Sequence, residues 1–329
     1  MQYLLDNFAA FTITGLTIGA VYALVALGYT LVYGVLRLIN FAHSEVFMYG
    51  TFAAVWVVMI LGGKTGGSTG QVIFWVAMMF VAAMLMSGLI AVLLERVAYR
   101  PLRKRNAPPL IALISAIGAS FVLSEMMGLR EKIVGWVGLD DTLSAYVKNS
   151  RNNVALPTII SPETQFSLGG YNVTNVDLFV ILGAVAIMVV LDQFVKRSRL
   201  GRGIRAVAMD AESAALMGVN RDRVIQVTFL VGGLMAGAAA VFYMLKIGIT
   251  RYDAGFILGV KAFTAAVLGG IGNLRGALLG GFVLGLAENY GSAIVGTEWK
   301  DVVAFVLLVV ILLFRPTGLL GESLGKARA

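Results

Sequence analysis

Three charged side chains lie within long apolar stretches of the sequence: Glu45, Lys261 and Glu288. A charge at membrane depth is costly, so such residues line a substrate or ion pathway or pair with another charge. Lys261 and Glu288 lie on neighbouring segments and can form an ion pair that satisfies both charges without any ligand. The sequence leaves both interpretations open, a structural pair and a substrate site.

Polar residues also cluster immediately before and around Glu45, in RLINFAHSEVFMYG (37–50). One interpretation is that Asn40 or Ser44 caps a helix whose positive end stabilises the Glu45 carboxylate. The other is a broken helix beside a transport path, because irregular backbone at membrane depth is tolerated where it lines a cavity or is buried in protein. The candidate path or hinge residues are Asn40, His43, Ser44, Glu45, Lys261, Gly270, Gly272 and Glu288, of which the two glycines belong to a second break, GGIGNLRG (269–276).

Residue types exclude several kinds of chemistry. The chain has no cysteine and one histidine, which excludes disulfides, thiolate ligands and histidine-rich metal sites. Gly63-Lys64-Thr65 lacks the first glycine of a P-loop, because Val58 occupies that position. No nucleophile–base pair is apparent, so a membrane-embedded enzyme has no support. We expect no catalytic residue, no metal and no cofactor on this chain.

The basic segment 196–223 is the most distinctive polar stretch between apolar runs. It carries seven Lys and Arg residues, which places it on the cytoplasmic side. Asp210 is predicted to cap a short helix over 211–217, which Gly218 ends in a left-handed conformation. This helix either contacts a cytoplasmic partner or belongs to a loop that only anchors topology by charge. The candidate contact residues are Asp210, Ala211, Glu212, Ser213, Ala214, Ala215, Leu216, Met217 and Gly218.

The composition indicates that the charged and polar residues named above are positioned by membrane-spanning segments. The 329 residues are 59% hydrophobic and 13% charged, against roughly 45–50% and about 25% in soluble chains. Apolar runs approach the roughly 20 residues needed to span a bilayer. They cover about 8–36, a second run that follows the polar cluster and ends near 61, and then about 71–94, 110–128, 177–195, 224–246, 256–271, 274–294 and 298–314. No cleavable signal peptide is apparent, since no basic residue precedes the first run.

The predicted fold is therefore all-α, a single polytopic membrane domain over 1–329 with eight or nine transmembrane segments. The short run 256–271 either crosses or re-enters, and 129–176 forms an external loop. With the N-terminus outside, most of the 26 Lys and Arg residues fall on the cytoplasmic side. Glycines at helical spacing, Gly281 and Gly285 among them, predict close helix contacts. Two apolar pairs broken by hinges suggest pseudo-symmetric halves.

Long stretches of the chain resemble one protein family. They include GAVYALVALGYTLVYGVLRLINFAHSEVFMYG (19–50), GRGIRAVAMDAESAALMGVNRDRVI (201–225), GVKAFTAAVLGGIGNLRGALLGGFVLGLAE (259–288) and RPTGLLG (315–321). The chain is similar to the shorter permease subunit of bacterial branched-chain amino acid ABC importers over nearly its whole length. Two positions depart from that family's pattern, Ser44 in place of Gly and Arg275 in place of Pro. Either departure bears on hinge geometry.

The resemblance implies a mechanism and a set of partners. Glu212-Ser213-Ala214 followed by Gly218 resembles the Glu-Ala-Ala…Gly pattern that docks an importer permease on its ATPase. The implied partners are a second permease subunit, two cytoplasmic ATPases that carry ATP and Mg²⁺, a periplasmic binding protein, the substrate and the bacterial inner membrane. No nucleic acid is implied. The alternatives are a urea or short-chain amide importer, and a secondary transporter that would need no coupling loop.

Overall fold

A computed structural model describes residue 4 and residues 7–138, 140–147 and 150–321. The first seven helices are α1 (Phe8–Leu36), α2 (His43–Ile60), α3 (Thr69–Leu94), α4 (Arg100–Lys104), α5 (Pro109–Gly128), α6 (Arg130–Val137) and α7 (Asp140–Val147). The remaining ones are α8 (Asn175–Arg197), α9 (Arg199–Met209), α10 (Ala211–Leu216), α11 (Arg221–Ile247), α12 (Ala254–Gly269), α13 (Leu274–Val295) and α14 (Lys300–Phe314). The described chain is thus mainly helical, as predicted.

Four short strands accompany these helices in the described residues. β1 (Val154–Ala155) pairs antiparallel with β4 (Ile249–Thr250), and Val154 lies opposite Thr250. β2 (Thr164–Leu168) and β3 (Tyr171–Thr174) form an antiparallel hairpin with a register shift between Thr164 and Phe166. The described residues of the predicted external loop 129–176 therefore include two helices, the strand β1 and the β2–β3 hairpin.

Seven helices of the described chain are long and apolar enough to cross a membrane. They are α1, α2, α3 with its extension to Lys104, α5, α8, α11 and α13. At 16 and 15 residues, α12 and α14 are shorter than the roughly 20 residues that a span needs. The predicted count of eight or nine crossings depends on these two helices.

The chain divides into two compact units, each built from separated segments. Unit 1 comprises 1–37, 162–228 and 260–329, and unit 2 comprises 38–161 and 229–259. Neither the single-domain prediction nor the predicted pseudo-symmetry is decided by this division, and both stay predictions.

Glycine contacts between α1 and α13 hold unit 1 together. A Cβ added at Gly285 would lie 2.3 Å from the Gly15 carbonyl oxygen and 2.5 Å from the Gly19 Cα. A Cβ at Gly281 would lie 2.5 Å from the Ala23 Cα. Backbones this close leave no room for side chains, and helices in membranes associate largely through such packing. The predicted glycine face of α13 is confirmed, and its partner is the glycine face of α1.

Unit 2 uses the same device between α2, α3 and α11. A Cβ at Gly237 would lie 2.5 Å from the Ala83 carbonyl oxygen, and one at Gly50 would lie 2.5 Å from the Ser87 hydroxyl. Beside these contacts is an apolar core that contains Val58, Met79 and Met244. These helices are therefore fixed against one another by backbone contact as well as by side-chain burial.

Two local expectations were wrong. No side chain caps α2, because its first turn follows Ala42, while Ser44 donates its hydroxyl to the Phe41 carbonyl and Asn40 accepts from Tyr99. The third span does not end at residue 94 but continues through one turn of π-helix (Glu95–Tyr99) into α4. Buried Glu95 accepts there from Arg103 at 3.1 Å, so an ion pair supports the extension.

Candidate functional site

Glu45 lies in the first turn of α2 and is buried, with 1% of its surface exposed. Its Oε1 accepts hydrogen bonds from the Ser120 hydroxyl at 3.1 Å and from the Ser44 hydroxyl at 3.4 Å. Its Oε2 is buried and has no hydrogen-bond partner. A buried carboxyl oxygen without a partner costs free energy, roughly 1–3 kcal/mol for an ordinary polar group and more for a charged one. Glu45 therefore retains an unused acceptor inside unit 2.

Two glycines at the start of α12 let that helix pack directly against Ser44 and Glu45. A Cβ at Gly255 would lie 2.5 Å from the Ser44 carbonyl oxygen and 2.9 Å from the Glu45 Oε2. A Cβ at Gly259 would lie 2.2 Å from the Ser44 Cβ. Ser44 thus fits here only because a glycine, Gly259, faces it. Close backbone packing therefore surrounds Ser44 and Glu45, and the role of the predicted break beside a transport path stays a prediction.

A cavity of about 510 Å³ in unit 2 has Glu45 in its wall. Ser120 and Ser124 of α5 and Tyr243 and Ile247 of α11 also line it. The segment that joins α11 to α12 contributes Ile249, Thr250, Arg251 and Asp253, and α12 contributes Ala254, Phe256 and Ile257. Within unit 2 the sequence motif around Glu45 thus meets the segment 249–257, none of whose residues is among the predicted site residues.

The other two charged residues at membrane depth belong to unit 1 and are paired. Lys261 donates to the Glu288 Oε1, and its Nζ also lies 2.5 Å from the Asp301 Oδ1. The Lys261 Nζ is 5.9 Å from the centre of the Tyr22 ring, a cation–π distance. Glu288 is fully buried, whereas the Asp301 side chain is half exposed. The pairing of Lys261 with Glu288 is confirmed, and Asp301 is a third member that the sequence analysis missed. The place of these residues on a translocation path stays a prediction.

The second glycine break is a tight turn in unit 1. Gly270 and Gly272 have positive φ values of 105° and 97°, which glycine adopts without the usual steric penalty. A segment before the C-terminus covers this turn, because the Leu319 and Leu320 N–H groups donate to the Leu268 and Gly269 carbonyls. Asn273 caps α13 by accepting from the Arg275 and Gly276 N–H groups. The break is thus a defined turn, and its role as a hinge stays a prediction.

The remaining residues of the first break are buried in unit 2. Asn40 accepts from the Tyr99 hydroxyl at 2.8 Å, and His43 is buried at the start of α2. Neither residue lines the Glu45 cavity. Of the predicted residues of this break, Glu45 lines the cavity, and the role of Asn40 and His43 on a path or hinge stays a prediction.

The basic loop folds as predicted around Asp210, with α10 one residue shorter than expected. The Asp210 carboxylate accepts from the Glu212 and Ser213 N–H groups at 2.9 and 3.3 Å. The hydrogen bond from the Ser213 hydroxyl, followed by those from the backbone, holds the pKa of Asp210 below its usual value. Gly218 has φ of 84° and ends the turn in the left-handed region. The capping interpretation is confirmed.

A second helix in the same loop, α9, was missed by the sequence analysis. Ser198 caps it, and Ile204 and Val207 are buried on one face. The three-to-four-residue spacing of these apolar positions was the available signal. Together α9 and α10 leave three large apolar side chains exposed, Met209, Leu216 and Met217, each with more than 85% of its surface accessible. We call these three residues the loop apex.

Ala214 corrects one detail of the expected contact surface. It is 6% exposed within unit 1, so this small residue of α10 faces its own chain. Glu212, Ser213 and Ala215 are exposed, as are Leu216, Met217 and Gly218. The outward surface of α10 therefore consists of its polar first turn and the apolar residues at its end.

Comparisons with known proteins give a consistent result. The family described as "Branched-chain amino acid transport system / permease component" matches residues 11–312. The chain is 40% identical over 313 residues to the high-affinity branched-chain amino acid transport system permease protein BraD of Pseudomonas aeruginosa, and 41% identical over 314 residues to LivH of Escherichia coli K12. Each alignment covers 94% of both chains. The probable permease LivH of Methanocaldococcus jannaschii is 24% identical over 93% of this chain. No solved structure gives a significant match.

Proposed function

The chain belongs to the branched-chain amino acid transport permease family, and from this premise we propose that it is the membrane subunit of an ATP-driven importer. Leucine, isoleucine or valine reaches its outer face from a periplasmic binding protein. A second permease subunit completes the path across the bacterial inner membrane. Two cytoplasmic ATPases bind ATP and Mg²⁺ and drive the cycle, so this chain catalyses no reaction itself. The printed names of its relatives support the substrate class.

The loop apex is the observation that carries the coupling role. A loop that only anchors topology needs positive charge, and it does not need a capped helix that holds Leu216 and Met217 in solvent. Those side chains are 89% and 86% exposed, which is costly unless a partner covers them. The Asp210 cap and the left-handed Gly218 fix their direction. We infer that the ATPase receives these side chains and transmits its closure through α10.

The test combines partner retention with transport. We expect the double change Leu216→Ser and Met217→Ser to leave membrane levels normal and to weaken ATPase co-purification by about tenfold or more, as for a central apolar contact. ATP-driven leucine uptake should fall with it. Leu168→Ser in the β2–β3 hairpin is the matched control, because it removes an exposed leucine on the predicted outer side. Normal uptake and a normal ATPase complex in the double variant would reduce the loop to a topology anchor.

The same preparation separates the alternative functions. Leucine uptake that persists without ATPase subunits, driven by an ion gradient, would indicate a secondary transporter. Uptake that urea or a short-chain amide competes for, and leucine does not, would place the chain with the amide importers. Uptake that requires ATP and is competed for by isoleucine and valine supports the proposal.

A further inference from the structure

We infer that the cavity beside Glu45 binds the primary ammonium group of an apolar amino acid on its way through the membrane. The inference rests on the proposed function, because it assigns the position at which unit 2 recognises the substrate. It starts from the Glu45 Oε2, which is buried without a partner in a residue that lines a cavity. An ammonium group offers three donors and a full positive charge, and can satisfy such an oxygen.

The charges around the cavity favour a cation. The charged residues in its described lining are Glu45, Arg251 and Asp253. Arg251 already pairs with Asp253 through two contacts, one of them 2.6 Å between Nη2 and Oδ2. That pair leaves the Glu45 carboxyl as the one charge of the described lining without a countercharge. A carboxylate ligand would face repulsion at this point, whereas an ammonium ligand supplies the missing charge.

The remaining wall fits an aliphatic side chain. Phe121, Tyr243, Ile247 and Ile257 contribute apolar surface, and the volume of about 510 Å³ falls within the roughly 300–1,000 Å³ of small-molecule sites. Such sites are mainly apolar, with a few polar groups that fix orientation. Ser120 has that supporting role here, because its hydroxyl donates to the Glu45 Oε1 and orients the carboxyl. One polar end beside an apolar wall is the pattern that leucine, isoleucine and valine share.

Glu288 shows how another buried carboxyl of this chain is neutralised: its Oε2, like that of Glu45, has no hydrogen-bond partner, but the carboxyl has a countercharge. In unit 1 the Glu288 Oε1 accepts from the Lys261 ammonium group. In unit 2 the corresponding countercharge for Glu45 is not supplied by any residue of the described cavity lining. The substrate ammonium group therefore takes the place beside Glu45 that the Lys261 ammonium group takes beside Glu288.

The absence of cysteine from the sequence allows a direct test in the complete transporter. Ser124→Cys places a thiol in the cavity wall, and Lys64→Cys places one in the exposed loop before α3 as a matched control. Right-side-out vesicles are treated with a membrane-impermeant maleimide, and labelling of this chain is followed by mass spectrometry. The added probes are L-leucine, isopentylamine, which lacks the carboxylate of leucine, and isocaproate, which lacks its amino group.

We expect leucine and isopentylamine to slow labelling of Ser124→Cys, and isocaproate to leave it unchanged. Adding Glu45→Gln should raise the half-protecting concentration by about tenfold or more, since a charge-assisted hydrogen bond is lost. Glu45→Asp should raise it less, because the charge remains. Labelling of Lys64→Cys should respond to none of the three compounds. Equal labelling of Ser124→Cys with and without Glu45→Gln, before any probe is added, shows that the cavity is intact.

Three outcomes would overturn the inference. They are equal protection by isocaproate, no protection by any compound, and a half-protecting concentration that Glu45→Gln leaves unchanged. If the Glu45→Gln protein does not assemble, the inference is still tested in the protein that keeps Glu45. There, isopentylamine should protect Ser124→Cys from labelling and isocaproate should not. ATP-driven leucine uptake is measured in the same vesicles. Uptake without protection would remove the ammonium site and keep the proposed function, whereas protection by isopentylamine without leucine uptake would do the reverse.

Discussion

Glu288 in unit 1 and Glu45 in unit 2 are the same residue type, both buried, in opposite chemical situations. Glu288 lies on the α13 face that contacts α1, and Lys261 and Asp301 complete a charged cluster around it. Glu45 has hydroxyl donors on one oxygen and none on the other, and it lines a cavity. Each carboxyl has one buried oxygen without a hydrogen-bond partner, but Glu288 has a countercharge in its own chain, whereas the described cavity lining supplies none to Glu45.

The difference separates packing from recognition. A buried charge whose partner is in the same chain stabilises one arrangement, and removing one member leaves the other uncompensated. A buried carboxyl without such a partner raises the free energy of the folded state, and this cost is tolerated where a ligand repays it. The charged cluster of unit 1 therefore fits a packing role, and the inferred ammonium site belongs to unit 2.

The largest expected effect follows from a substitution that breaks the charged cluster of unit 1. Lys261→Met should destabilise the complex by about 3–5 kcal/mol, because it leaves fully buried Glu288 without a countercharge. Glu288→Gln should cost less, because Lys261 keeps Asp301. The measurement is thermal unfolding of the purified complex, together with its yield.

The double change supplies the control for that cluster. Lys261→Met with Glu288→Gln should be milder than Lys261→Met alone, since no buried charge is then left unpaired. Single effects that simply add would show that the two residues do not stabilise each other. In that case Lys261 would not stabilise Glu288, and the difference between Glu288 and Glu45 drawn above would not hold.

A smaller effect tests the backbone contact that positions Glu288. Gly285→Leu forces a side chain into a space where even a Cβ would lie 2.3 Å from the Gly15 carbonyl oxygen. Overpacking of this kind costs about 1–3 kcal/mol and occasionally more, so we expect reduced assembly. Leu279→Ala on the exposed side of α13 is the control and should assemble normally. A Gly285→Leu protein that assembles and transports like the parent would contradict the prediction that this close helix contact is required.

The smallest expected effect on stability is at Glu45. Because no cation of the described cavity lining pairs with it, Glu45→Gln should change the unfolding free energy by less than about 1 kcal/mol, or raise it. The same neutralisation at Glu288 should destabilise. The free energies of unfolding of the two variants are measured in the same membrane mimic, so that they can be compared directly. If Glu45→Gln destabilises as strongly as Lys261→Met, then Glu45 has a structural partner and unit 2 is scaffold at that point too.

Much of the fold and part of the site could be predicted from the sequence. Apolar length and basic loops predicted the helical membrane fold, and i, i+4 glycines predicted the close α13 contact. Local chemistry predicted the Asp210 cap and the Gly218 turn. These features depend on residues close together in the chain, and hydrogen bonds within one turn or a single steric requirement decide them.

Other features required the folded chain. The sequence could not show that Asp301 joins Lys261, that Ala214 turns inward, or that neither Asn40 nor Ser44 caps α2. Each of these outcomes depends on which segments come together, and sequence spacing does not encode that choice.

The sequence alone determined that Glu45, Lys261 and Glu288 are expensive charges in apolar surroundings, because that cost follows from residue type and hydropathy. Only the tertiary structure decided which of these charges has a countercharge within the chain. It brings Lys261 within reach of Glu288 across 27 positions, and it places Glu45 against Gly255 and a cavity instead of a cation. Ion pairing needs contact distances, and long-range packing sets those distances.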